Sequence, residues 1–199
     1  EGTATFNQEA ARGAKIVARV QTPSGGEEHF ETAVQPDSTF LIEALPGGPT
    51  VLQLQGLRVG RTEHLRSVSL QTRSGTTTPY DFILMGDSTV VVQVSGIAPG
   101  ATGIVAAIEP GTSLLDYDWP DYNLTPVNLL ARMPVTQDGE YTLEGLEAGA
   151  CTICAYTKPA VTPAAAATQP DAVPPAPLYD AAGITLQAGS ETVIVLQLQ

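Results

Sequence analysis

The chain has 199 residues, long enough for one large or two small domains with a buried core, and its 43% hydrophobic and 15% charged residues give a globular balance. Twenty-one acidic against nine basic residues leave a formal charge of −12. That excludes nucleic acid as an expected partner, because phosphate binding needs clustered Lys and Arg, and it disfavours an anionic membrane surface.

Taken in chain order, short segments alternate apolar and polar residues: "KIVARV" (15–20), "VLQLQ" (51–55), "SVSLQ" (67–71), "TVVVQV" (89–94), "GIVAAI" (103–108) and "TVIVLQL" (192–198). Period-2 alternation puts one strand face in a core and the other in water. Sixteen Pro and nineteen Gly punctuate them, the spacing of an all-β sandwich or barrel. "NLLARM" (128–133) is expected to form a short turn of helix at most. No apolar run approaches the ~20 residues of a membrane span, so no membrane insertion is expected. A chain starting at Glu1 without Met or a signal peptide is expected to be a mature secreted protein or a piece of a longer one.

Two stretches echo each other. "DSTFLIEALPGG" (37–48) and "DGEYTLEGLEAG" (138–149) match Phe40 with Tyr141, Ile42 with Leu143, Leu45 with Leu146 and Gly48 with Gly149. The following strand keeps step, Leu52 and Leu54 matching Ile153 and Ala155. Later, "LQTRSGTT" (70–77) matches "LQAGSETV" (186–193), and upstream "IVARV" matches "VVVQV". Two copies of one module, 1–87 and 88–199, follow as the economical organisation, touching for want of a linker. The motif is built for hairpin geometry and core burial: Asp-Gly for a tight turn, an aromatic and two aliphatics pointing inward, and a Gly where the chain reverses.

This order of strand, turn, "DG-x-[FY]-x-L-x-x-L-x-x-G" and further strands resembles the carboxypeptidase regulatory-like family, and is similar to transthyretin-like and Cna-B-type domains. Asp138, Gly139, Tyr141, Leu143, Leu146, Gly149, Ile153 and Ala155 carry the resemblance; the first copy departs with Ser38 and Pro49. It implies two tandem prealbumin-like (immunoglobulin-like) antiparallel β-sandwiches. The role implied is a non-catalytic structural or spacer module of a larger secreted, periplasmic or cell-surface bacterial protein. Its partners would be the other domains of that protein.

The copies differ by insertions in the second, at about 109–135 and 158–180. The first holds the only Trp, in the cluster Asp116, Tyr117, Asp118, Trp119, Asp121 and Tyr122. Three readings compete there. Trp119 caps the sandwich end while the Asp residues stay solvated; the rings stack on a glycan or protein ligand; or Asp116, Asp118 and Asp121 contribute to a Ca²⁺ site, for which the spacing lacks the usual Gly and closing Glu. The second insertion, "KPAVTPAAAATQPDAVPPAPLYD", is Ala/Pro-rich and is expected to be extended.

Chemistry-bearing residues point away from catalysis, and no cofactor is expected. "CTIC" places Cys151 and Cys154 three apart on a strand, facing opposite sides, with no second pair for zinc. Cys151 is expected in the core, Cys154 outside or under a loop. His29 and His64 each stand beside Glu and are expected on a solvated face. The Cna-B resemblance raises an internal Lys–Asn amide bond, for which Lys15 and Asn7 are the nearest candidates.

Overall fold

A computed structural model describes residues 1–22, 24–112, 114, 129–158 and 178–199. Fifteen strands run through it: β1 (Gly2–Phe6), β2 (Glu9–Ala10), β3 (Lys15–Gln21), β4 (Glu27–Ala33), β5 (Thr39–Phe40), β6 (Gly48–Val59), β7 (Thr62–Thr72), β8 (Phe82–Leu84), β9 (Ser88–Ser95), β10 (Thr102–Ile108), β11 (Leu129–Val135), β12 (Gly139–Leu146), β13 (Gly149–Lys158), β14 (Leu178–Leu186) and β15 (Glu191–Gln197). The described residues contain no α-helix. The protein is all-β, built of packed, mostly antiparallel sheets.

Pairing in the N-terminal half repeats in the C-terminal half. In the first, β1 pairs antiparallel with β5 and parallel with β8, β3 pairs with β4 and β6, and β6 with β7. In the second, β9 pairs antiparallel with β12 and parallel with β15, β10 with β11 and β13, and β13 with β14. Register follows suit: Phe40 lies opposite Gly2 as Tyr141 lies opposite Val92, and Leu52 opposite Ala18 as Ile153 opposite Ala107.

This register corrects two sequence matches. "IVARV" is β3, in the long sheet, whereas "VVVQV" is β9, in a short one; the counterpart of β3 is β10. Apolar alternation is generic to strands, so likeness of composition misassigned the place. Gly48 lies opposite Thr72 and Gly149 opposite Leu186, so Leu186 corresponds to Thr72 rather than Leu70. "NLLARM" likewise belongs to a strand: in β11, Leu129, Ala131, Met133 and Val135 are buried at every second position. Leu, Ala, Arg and Met favour helix intrinsically, but pairing with β10 and β7 overrides a weak preference.

Eight strands form one long sheet, in the order β14-β13-β10-β11-β7-β6-β3-β4. Shorter sheets cover it, β2-β1-β5 with β8 over the N-terminal half and β12-β9-β15 over the C-terminal half. One core lies under each. The first is built from Ala4, Ile16, Ala18, Phe40, Leu52, Leu54 and Phe82 among others, the second from Val90, Val92, Val105, Leu143, Ile153 and Leu196. A third cluster, including Leu65, Ile104, Ala106, Ile108, Leu114, Cys154 and Tyr156, lies on the opposite face of the long sheet. Each fully buried aliphatic side chain stabilises the fold by about 1.5–3 kcal/mol.

Candidate functional site

The aromatic and acidic residues expected to bind a ligand, Asp116, Tyr117, Asp118, Trp119, Asp121 and Tyr122, lie outside the described residues, and with them the candidate Ca²⁺ ligands. Most of the Ala/Pro-rich insertion lies outside as well. Among the described residues, Glu63, His64, Arg66 and Arg132 gather instead where the halves meet.

That joint is made from the edge of one half and the edge of the other. β7 pairs with β11 through Ala131 opposite His64 and Arg132 opposite Glu63. Arg132 Nε donates to Glu63 Oε2 at 2.9 Å, with both side chains largely buried, and Glu63 Oε1 accepts the Gly56 amide at 3.2 Å. The carboxylate therefore ties the β6 bulge to the neighbouring half. Thr62, fully buried, accepts the Glu144 amide at 2.9 Å and donates to the Thr142 carbonyl at 3.3 Å. Arg66 Nη2 meets Glu147 Oε2 at 2.6 Å. Asn7, with φ at +49°, brackets Gly86 by two hydrogen bonds of 2.9 Å just after β8.

His64 sits at the centre, 4% exposed. Its Nε2–H donates to the Glu144 carbonyl at 2.9 Å, and its ring lies 5.3 Å from that of Phe6. Burial lowers its pKa below the ordinary histidine value; the backbone bond to Glu144 raises it less, and nearby Arg66 lowers it. The expectation of a solvated His64 is thus overturned. Its neighbour in sequence is Glu63, but its packing partners are distant ones, Phe6 of its own half and the Glu144 backbone eighty positions away. His29 stays on the surface, 2.8 Å from Glu27.

A cleft of about 370 Å³ opens beside His64, lined by Phe6, Arg66, Met85, Leu130, Glu147 and Cys151 among others. Two of its polar side chains are already engaged in the joint, His64 with Glu144 and Arg66 with Glu147. Cys151 is nearly buried and burial raises its thiol pKa. Cys154 is fully buried on the other face of β13, its thiol pushed up to about 12 by burial against a smaller lowering by Tyr179. Both remain protonated at neutral pH, without the thiolate that nucleophilic chemistry requires. The two face opposite sides as strand geometry demands, and both are free. Lys15 is half-exposed and bonds to Glu31 at 2.8 Å, while Asn7 is committed to Gly86, so the candidate amide-bond pair is not brought together.

No known protein-family model matches the chain, and no curated protein matches it. Among solved structures it is similar to the Bacillus anthracis TIE protein, with 10% identity and a TM-score of 0.31, covering 99% of this chain and 33% of that one. It is also similar to the shaft pilin spaA of Lactobacillus rhamnosus GG, with 10% identity and a TM-score of 0.27, covering 100% of this chain and 96% of that one. The chain thus spans about a third of the TIE protein's length.

Proposed function

We propose that the chain is a non-catalytic, stiff spacer within a larger exported or cell-surface protein, made of two copies of one carboxypeptidase regulatory-like module, 1–87 and 88–199. Its partners are the other domains of that protein. The observation that carries this reading is the short ladder of two register pairs that joins β7 to β11 and makes one sheet of both halves, reinforced by Glu63–Arg132 and the Thr62 and His64 bonds. Domains joined by a small polar contact move freely by default. A sheet running across the joint resists bending, because each backbone bond in it must break before the halves can swing.

The test is a distance measurement on the full chain. Spin labels placed by Glu28→Cys and Glu191→Cys lie on exposed strand residues of opposite halves, and the native cysteines are buried from the reagent. A single narrow distance distribution is expected; a broad one contradicts the spacer. Recognition of a glycan or peptide through Tyr117, Trp119 and Tyr122, with Asp116, Asp118 and Asp121, is the alternative, supported by residue types alone. It predicts that the emission of the only Trp shifts on adding polysaccharide or peptide.

A further inference from the structure

The echoed strings fold differently. In the C-terminal half Tyr141–Leu146 continues along β9, with Leu143 opposite Val90 and Leu146 opposite Ser88. On the far side of β9, Glu191 and Thr192 lie opposite Thr89 and Val90. In the N-terminal half β5 is Thr39–Phe40 alone, and residues 41–45 pair with no strand among the described residues. The backbone nevertheless follows a matching course: Ala44 takes φ +59° where its counterpart Gly145 takes +70°. Residues 77–79, counterparts of Glu191–Val193 by the register of β8 with β1, are likewise outside any strand.

Between these two segments lies a groove of about 390 Å³, lined by Leu41, Ile42, Leu45, Leu52, Leu70 and Thr72 among others. Leu41 is 51% exposed, and Ile42 and Leu45 are only partly buried where Leu143 and Leu146 are buried. Two ladders run up to the groove and stop at its mouth. Gly2 pairs with Phe40, and the Tyr80 amide donates to the Glu1 carbonyl at 3.0 Å. By register Glu1 corresponds to Val91, so the place filled by Ser88–Val90 in the second half is that of a segment leading into Glu1.

We propose that this groove is a strand-acceptor site whose occupant is an extended peptide entering Glu1 from its N-terminal side. It runs antiparallel to residues 41–45 and parallel to residues 77–79, with a small residue over Leu45 and a β-branched one over Ile42. The Thr78 carbonyl already accepts from the Glu1 N-terminus at 3.3 Å, so the ladder along that wall points toward the incoming segment. Residues 41–45, which pair with no strand among the described residues, supply the other wall, and the apolar floor selects alternate side chains. The pairing in the second half supplies the template.

Two forms of the full chain test it, one carrying Asp-Ser-Thr-Val ahead of Glu1 and one carrying Asp-Ser-Thr-Asp. The Val form is expected to slow amide hydrogen exchange at residues 41–45 by about tenfold or more and to raise Tm by a few degrees. The Asp form should do neither, because it would bury a carboxylate over Ile42. Equal exchange in both forms overturns the proposal. Equal protection of the unextended chain by the separate tetrapeptide would overturn the assignment to a segment joined to Glu1.

Discussion

Glu63 and His64 are adjacent, both polar, and both turned to the neighbouring half. Glu63 completes a largely buried ion pair with Arg132, and loss of one partner of such a pair leaves the other poorly solvated. Glu63→Gln is expected to lower unfolding free energy by about 2 kcal/mol, read from denaturant midpoints at unchanged slope. His64 acts through its neutral form. Because its folded pKa lies below the unfolded value of 6.5, the unfolded chain takes up the proton first as pH falls. The stability it contributes is complete above that value and declines on acidification below it. The wild-type Tm should therefore fall more between pH 7 and pH 5 than that of His64→Phe; equal slopes would remove His64 from the pH response. Neither role was legible in "RTEHLR", whose charged flanks resemble any solvated strand. The groups that enclose His64 and Glu63 are Phe6, far off in the same half, and Glu144 and Arg132 of the other half, all beyond the reach of a local pattern.

At the scale of strands, alternation was readable where one face is a core and the other wet and polar, as in β3; β15 is apolar from Val193 to Leu196, yet Val193 and Val195 are exposed. Alternation failed for β4, whose residues are exposed on nearly every position and leave no apolar period. It failed for β11 because residues with strong helix preference happen to occupy a strand. The echoed motif does not reveal that one of its stretches forms eight residues of strand and the other two. Position 44/145 separates these roles. Ala44 holds a left-handed backbone that an L side chain disfavours, so Ala44→Gly is expected to stabilise by up to about 1 kcal/mol. Gly145→Ala should cost about 2 kcal/mol or more, since its Cβ would crowd the Phe6 ring and His64 as well as strain the backbone. Thermal unfolding of the two variants reads both signs; a shared sign would contradict the equivalence of the two turns.

For the whole molecule, the repeat suggested two sandwiches, and the structure places two cores beneath one long sheet. What joins them is brief: two register pairs between β7 and β11, then side chains. So short a ladder has no sequence signature, because edge strands of any two sandwiches could in principle meet. The joint is heterologous, β7 meeting the counterpart of β4 rather than its own equivalent. The outer edges that remain, β4 and β14, carry Glu27, Glu28, Glu31 and Asp180. Charge of one sign at both ends disfavours continuing the sheet from copy to copy. The chain is therefore expected to stay monomeric by light scattering at neutral pH, and edge-to-edge oligomers would contradict that. The most direct measurement of the central claim is backbone ¹⁵N relaxation across the full chain. Amides of β3, β6 and β7 should fit the same rotational diffusion tensor as those of β10, β13 and β14, whereas two tensors of independent tumbling would show that no rigid sheet spans the joint.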